Sequence, residues 1–381
     1  MKHICIVAEG YPTPDNPMLS FVDKIVCEFA EQGYKCSVVA PQSITKILFR
    51  GVKKRKAHWT KLTKNKKTVD IYQPLYISLS NNKKLKNLSN IMMEKAVSKG
   101  IRKVNREHKI DIMYAHFWHC GVYAGKETQN LGLPLFVACG EDKVVLGKRF
   151  SDKKIKKALK PLKGVISVST ENKRASISLG LAREENITVL PNGADSNVFY
   201  ARDKKKMREI LNLSETDFVV GFVGSFDERK GPHRLSEAIA KAGGDIKSIF
   251  IGNGAKQPDC EGIVFSGRLS HEKIPEYLSA CDVFVLPTLS EGCCNAIVEA
   301  MACGLPVISS ARPFNDDILD ENNSIRINPE NVEEIKEAII KLKNDNGLRK
   351  NLSEGALKTA EILSIDKRAT KILEFMNDLS N

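Results

Sequence analysis

Residues 291–306 read EGCCNAIVEAMACGLP, and this stretch decides the fold. Before it, residues 282–287 (DVFVLP) form a short apolar run of strand type. Thr288, Leu289 and Ser290 follow, then a helical run over 295–303, a glycine stop at Gly304 and a new strand over 306–309. Glu291 therefore falls in the loop where a strand gives way to a helix. Glu299, eight positions later, points off that helix about two turns on. Ligands of open α/β sheets bind outside the carboxyl ends of strands. Two acids at such a place point to an enzyme.

Working outward, strand-like and helix-like runs alternate along the whole chain. The first half has apolar strand runs at 4–8, 36–40, 112–115, 135–138, 165–169 and 188–191, with a helical pattern over 18–32 that stops at Gly33. The second half has strand runs at 218–223, 249–252, 262–265, 283–287 and 306–309, with helices at 232–242, 271–280, 295–303 and 332–344. Short apolar strands separated by helices imply parallel sheets covered on both faces. The 381 residues have room for two such doubly wound units. The join falls near 192–203 (NGADSNVFYARD), which has no apolar period. The expected domains are 1–198 and 199–363, with a helix over 364–381 packing back on the N-terminal domain.

Composition narrows the class. With 42% hydrophobic and 28% charged residues, disordered and collagen-like chains are excluded. No apolar run approaches the roughly 20 residues of a transmembrane helix. The start, MKHICIVAEG, reads as a strand running into a glycine and not as a signal peptide, so a cytoplasmic location is expected. The ten cysteines lie mostly in apolar runs, and Cys293 and Cys294 are adjacent, which suits neither a common bridge nor a zinc site. Reduced, mostly buried thiols are expected.

Charge is uneven. Residues 1–170 carry 32 Lys+Arg against 13 Asp+Glu, a balance of +19, whereas residues 171–381 carry 27 against 33, a balance of −6. Residues 43–69 alone hold ten Lys/Arg and no acid, and read as a long uncovered loop. A basic half suits an acidic acceptor or an anionic membrane surface. Nucleic acid is disfavoured, because the basic segment lacks the interleaved aromatics of a stacking platform.

The chemistry gathers in the second half. Residues 219–231 read VVGFVGSFDERKG: a strand ends at Gly224, where backbone can approach a ligand, and Arg229 and Lys230 arrive just before a helix start. Cations are mildly unfavourable at a helix N-terminus, so a bound anion accounts for them better than solvent does. The helix opening near Gly292, Cys293, Cys294 and Asn295 offers free N–H groups, a second anion site. The two could clamp a diphosphate. Glu299 suits a ribose diol, and Glu291 would reach the group being moved. In the first half, His116 follows the strand at 112–115, a place for a ligand contact, with His119 as the alternative. No Asp-x-Asp sequence occurs, which fits a site without a metal.

Together these motifs resemble the retaining GT-B glycosyltransferases, the large bacterial polysaccharide and mannosyl transferase family (glycosyltransferase family four). The similarity is carried by residues 222–231, 283–299 and 300–309, by the turn 190–195 (LPNGAD), and by 11–17 (YPTPDNP) with Phe21. It implies an α/β fold of GT-B architecture, two Rossmann-like domains facing across a cleft. It also implies transfer, with retention, from a nucleoside-diphosphate sugar (a UDP-sugar) to a lipid-linked or polysaccharide acceptor at the cytoplasmic face of the membrane. Residue by residue, Arg229 and Lys230 would hold the diphosphate and Glu299 the ribose. Glu291 would contact the sugar, with Gly224, Ser225, Gly292, Cys293, Cys294 and Asn295 around them. His116 would face the donor sugar, and Tyr11, Pro12, Asn16 and Phe21 would form the acceptor side. No cofactor or metal is implied. The sequence departs from the pattern at Ser225, where some members carry arginine, and at Cys139 in 138–142 (ACGED), where many carry histidine. Rival readings are a nucleotide-sugar 2-epimerase, against which the ERKG turn argues, and a non-catalytic sugar-nucleotide-binding protein.

Overall fold

The computed structural model describes residues 1–13, 19–79, 83–141 and 144–380. The chain forms two units, one of Met1–Val168, Asn172–Leu190 and Ala369–Asn381, the other of Ser169–Glu171 and Pro191–Arg368.

The first unit begins with β1 (His3–Val7), α1 (Ser20–Glu31), β2 (Lys35–Val39), a two-residue β3 (Gln42–Ser43), α2 (Ile44–Phe49), β4 (His58–Leu62), β5 (Thr68–Tyr72) and a two-residue β6 (Leu75–Tyr76). It continues with α3 (Lys83–Glu107), β7 (Ile112–His116), α4 (Trp118–Asn130), β8 (Leu135–Cys139), α5 (Asp152–Ala158), β9 (Leu162–Ser167), α6 (Thr170–Ser178) and β10 (Ile187–Val189). The eight-stranded sheet has the order β10-β9-β8-β7-β1-β2-β5-β4, parallel except for the antiparallel edge strand β4. β1, β7 and β8 are buried along their whole length, as strands covered on both faces must be. In α1, Val22, Ile25, Val26, Phe29 and Ala30 are buried, which is the spacing of one helical face turned to a core.

Residues 43–69 depart from the expected loop. They hold α2 and β4, and several of their ten cations act structurally, Lys64 Nζ among them at 3.9 Å from Glu28 Oε1. Lys61 Nζ donates to both carboxylate oxygens of Asp23, at 2.7 and 2.5 Å, and Arg55 Nη2 donates to Thr13 Oγ1 at 2.8 Å. β4 alternates between exposed and half-buried residues because it is an edge strand with one face in water. The long helix α3 and the strand β5 beside β4 also went unread in the sequence.

The second unit contains α7 (Lys204–Ile210), β11 (Phe218–Val223), α8 (Pro232–Ala242), β12 (Ile246–Ile251), β13 (Ile263–Gly267), α9 (Ile274–Ser279), β14 (Val283–Leu286) and α10 (Asn295–Ala302). β15 (Val307–Ser310), β16 (Ser324–Ile327), α11 (Val332–Asn344), α12 (Asn346–Ile362) and α13 (Ile365–Ser380) complete the chain. Its sheet has the order β13-β12-β11-β14-β15-β16, all parallel. β11 comes first in the sequence but sits in the middle, so strand order reverses between β11 and β14. From Ala369 onward α13 belongs to the first unit. There it buries Ala369, Ile372, Leu373 and Met376, and Asn377 Oδ1 accepts from Lys2 Nζ at 2.9 Å.

Candidate active site

In the second unit the reversal between β11 and β14 places two loops side by side, the place where ligands bind in open sheets. β11 ends at Gly224, whose N–H donates to Ile251 O at 2.9 Å. A side chain is excluded from the neighbouring β12 end, because a Cβ at Gly252 would stand 1.8 Å from Gly224 O. The turn that follows is built on Asp227, which accepts from Ser225 Oγ at 2.6 Å and from the Lys230 N–H at 2.8 Å. Gly231 then starts α8 at φ 70°, and a Cβ there would meet Arg234 Nη2 at 2.3 Å. Arg234 in turn donates to Pro287 O at 2.9 Å and to Glu228 O at 2.9 Å, tying the start of α8 to the end of β14.

The two loops converge on Glu291. Its Oε1 accepts from Arg229 Nη1 at 2.6 Å, Lys230 Nζ at 2.7 Å and Thr288 Oγ1 at 2.8 Å. Arg229 also donates to Ser290 O at 2.8 Å, and its own carbonyl accepts from the Leu289 N–H at 2.8 Å. Lys230 is buried, with Cys294 Sγ 3.5 Å from its ammonium. Burial opposes the charged amine, but the Cys294 sulfur and the Glu291 carboxylate outweigh it, and the lysine titrates above its ordinary value. Two cations thus share the Glu291 carboxylate, with Asp227 close by in the same turn.

Helix α10 starts at this cluster. Cys294 is its N-cap residue and supplies no side-chain acceptor; the Ile297 N–H donates to Cys294 O at 3.2 Å, which leaves the Asn295 and Ala296 N–H groups for a ligand or solvent. Gly292, Cys293 and Cys294 are buried. Asn192 fixes this loop, its N–H donating to Cys293 Sγ at 3.3 Å and its side-chain amide to Cys293 O at 3.1 Å. Burial pushes the Cys293 thiol up to about 12, so it is a neutral packing group. Asn295 carries a buried Oδ1 that accepts no hydrogen bond from a described residue. Such an acceptor costs about 1–3 kcal/mol when left alone, and a ligand hydroxyl would satisfy it. Glu299, also buried, has its Oε1 2.9 Å from His271 Nε2, and the Phe199 and His271 rings meet edge to face with centroids 4.8 Å apart.

Among the expected donor residues, the structure thus brings Arg229, Lys230, Glu291 and Cys294 into contact. Gly224 and Ser225 lie in the same turn, with the Ser225 hydroxyl spent on Asp227. The sequence reading missed Thr288, Asp227, Asn192 and His271. Among the described residues, no group of three or more His, Cys, Asp or Glu side chains is placed to hold a metal ion.

In the first unit, His116 is the last residue of β7 and is buried, with Phe21 and Phe117 ring centroids 5.1 and 5.0 Å from its own. Phe117 lies at φ 82°, a strained conformation for a bulky residue that clusters at functional sites. His119 Nε2 is 3.3 Å from Glu9 Oε2. Glu141 accepts from the Trp118 N–H at 2.9 Å and from the Gly140 N–H at 3.1 Å, closing the start of α4. Tyr11 is buried and its hydroxyl donates to Asp23 Oδ1 at 2.5 Å, while Pro12 is half-buried. Asn16 and Asp142 lie outside the described residues.

Residues 203–359 match the sequence pattern of the family described as Glycosyl transferases group 1. This stretch is a group 1 glycosyl transferase domain. It holds every second-unit site residue named above except Asn192 and Phe199. Over most of its length the chain is similar to TuaC of Bacillus subtilis (strain 168), named as a teichuronic acid biosynthesis glycosyltransferase. The two are 23% identical over 368 residues, covering 93% of this chain and 92% of that protein. It is 27% identical over 305 residues to the Escherichia coli UDP-Gal:alpha-D-GlcNAc-diphosphoundecaprenol alpha-1,3-galactosyltransferase, covering 73% and 78%. The fold is shared with Anabaena Alr3699/HepE in complex with UDP, at a TM-score of 0.72 and 18% identity, covering 99% of this chain and 100% of that one. The α/β architecture with two parallel, Rossmann-like units is that of GT-B glycosyltransferases.

Proposed function

We propose that the protein is a retaining glycosyltransferase that moves a sugar from a UDP-sugar to a lipid-linked or polysaccharide acceptor, in the synthesis of a cell-surface polysaccharide. The observation that carries this reading is the convergence of Arg229 and Lys230 on Glu291 beside the uncapped start of α10. When a glycosyl donor breaks, a diphosphate leaves and the sugar carbon gains positive charge, so the main task is stabilising the departing anion. The cation pair and the helix N–H groups can do this without a metal. Glu291 keeps Lys230 charged inside a buried pocket and aims both cations. Asn295 Oδ1 is suited to a sugar hydroxyl, and Glu299 to the ribose diol. A donor phosphate oxygen takes the acceptor's proton on the face from which the leaving group departs, which preserves the anomeric configuration. His116 is the first-unit residue that would meet the donor sugar.

The UDP complex of the Anabaena protein supports the nucleotide, and the names of the two relatives support a polysaccharide or lipid-diphosphate acceptor. A peripheral site on the cytoplasmic face of an anionic membrane is supported by α2 and its flank. Leu48 is 68% and Phe49 80% exposed among Lys46, Arg50 and Lys54, a pairing of apolar and basic groups that suits a headgroup layer. Among the described residues no helix is long and apolar enough to cross a membrane. The test is a panel of nucleotide sugars, with UDP release and the anomeric configuration of the product read by NMR, with and without EDTA. An inverted product would remove retention from the reading, loss of turnover in EDTA would remove metal independence, and tight donor binding without turnover would make the protein a binding module.

A further inference from the structure

Helices α3 and α4 of the first unit border a groove of about 760 Å³ that plays no part in the chemistry above. Lys95, Lys99, Arg102 and Arg106 lie three or four residues apart on α3, hence on one face, over about 16 Å of helix at 1.5 Å per residue. Lys126 reaches the groove from α4. Arg102 is spent on Glu127, at 2.6 Å, and that carboxylate is itself buried, so the pair staples the two helices together. Glu94, the acid at the groove, is spent on Lys154. That leaves Lys95, Lys99, Arg106 and Lys126 as exposed cations with no ion pair to a described residue. Like charges lined along one concave wall repel, and the groove is relieved by an anion laid along it.

We infer that this groove binds an acidic glycan chain, whose carboxylates meet Lys95, Lys99, Arg106 and Lys126. The lining fits a sugar chain. Ile91 and Leu131 give apolar patches for ring faces, and Ser98 and Asn105 give hydrogen-bonding groups. A bilayer is a flat partner and cannot follow a concave wall between two helices. Single-stranded nucleic acid wants aromatic platforms for its bases, and no aromatic side chain lines the groove. The inference stands on this lining alone and does not depend on the donor-site reading.

The experiment measures binding of a fluorescent oligogalacturonate to the full chain by anisotropy, with the methyl-esterified oligomer as the neutral control. The acidic oligomer should bind with an affinity that falls steeply with salt, and the esterified one should not bind. Replacing three exposed cations together, Lys95→Gln, Lys99→Gln and Lys126→Gln, should weaken binding roughly tenfold. Arg102 is left in place, because its removal would strand the buried Glu127 carboxylate. Thermal unfolding checks that the triple variant is folded, and Lys99→Arg, which keeps the charge, should bind like the wild type. Unchanged affinity in the folded triple variant overturns the proposal. So does equal binding of the esterified oligomer, or a groove-dependent preference for anionic vesicles or single-stranded DNA over the glycan.

Discussion

In each sheet the strand order turns between two central parallel strands, β1 and β7 in the first unit and β11 and β14 in the second, and these two reversal points are furnished differently. In the first unit the ends of β1 and β7 carry rings: His116 sits against Phe21 and Phe117, and the helix that follows, α4, is closed by the protein's own Glu141. In the second unit the ends of β11 and β14 carry charge: Arg229 and Lys230 share Glu291, and the helix that follows, α10, has no side-chain cap. A helix start is an anion site only while its N–H groups are unspent. Glu141 spends the first of those of α4, the Trp118 N–H. This contrast is the physical reason for assigning the donor diphosphate to the second unit and a shaping role to the first.

The sharpest way to break the contrast is Lys230→Ala. Glu291 would keep Arg229 and Thr288 as donors, so the fold should survive. The leaving group would lose a buried cation, and removal of one such stabilising group costs about 3 kcal/mol, a drop of roughly 10²–10³-fold in kcat. Steady-state turnover of the donor found active in the panel measures this. A variant that keeps more than a tenth of wild-type activity would move the charge handling elsewhere.

Glu141→Ala attacks the other side of the comparison. It removes the carboxylate that accepts from the Trp118 and Gly140 N–H groups in a buried loop. Burial pushes this carboxyl up, against the two N–H donors that favour its charged form. Loss of a helix-capping acceptor costs about 1–2 kcal/mol. Urea denaturation should show that loss in the first unit while UDP affinity stays unchanged. A fall in UDP affinity with unchanged stability would instead make α4 part of the donor site.

Asn295→Ala probes the uncapped helix start with a smaller effect. Because Oδ1 accepts nothing from the protein, its loss should leave the melting temperature unchanged or slightly raised. Donor-sugar affinity should fall by about 1 kcal/mol, roughly fivefold, as for one ordinary hydrogen bond. Calorimetric titration with UDP and with the UDP-sugar separates sugar from nucleotide, and equal losses for both would place Asn295 on the phosphates.

What the sequence disclosed follows the reach of each interaction along the chain. β11, α8 and α11 have the bounds their apolar periods announce, with Gly231 and Pro232 marking the start of α8. Arg229, Lys230 and Glu291 could be picked out because each sits in the short loop between an apolar strand run and a helical one. His271 and Asn192 were not, since their partners Glu299 and Cys293 lie 28 and 101 positions away and only the fold brings them near. The segment 43–69 was misread because lysines dominate it. Its fold depends on an edge strand pairing with β5 and on Lys61 reaching Asp23, 38 positions earlier. The positive φ of Phe117 left no trace in the sequence, because a bulky residue rarely adopts that backbone conformation and none of its neighbours marks it.

The smallest expected effect tests whether the first unit's reversal point handles any charge at all. A candidate is the pair of His119 and Glu9, with Arg149 Nη2 3.9 Å from the other Glu9 carboxylate oxygen. The imidazole beside it is the leading cause that lowers Glu9 from 4.5 to about 2. Burial works against the His119 cation, but the Cys120 sulfur and the Glu9 carboxylate outweigh it and push His119 from 6.5 up to about 10. A depressed carboxyl stabilises the fold above 4.5, and that share is lost as pH falls through about 2. A raised imidazole stabilises it fully below 6.5, and that share is lost as pH rises through about 10. Stability should therefore decline as pH climbs from 6.5 to about 10. The Glu9 side chain is half exposed, so solvent screening limits the pair to about 0.5–1 kcal/mol. Glu9→Gln should make that decline shallower, the share set by the Cys120 sulfur remaining, while leaving the neutral-pH fold intact. Urea denaturation of both proteins at the two ends of the window reads it directly. If the wild type and Glu9→Gln lose stability in parallel across the window, the pair carries no charge coupling, and the first unit's reversal point is a purely steric surface.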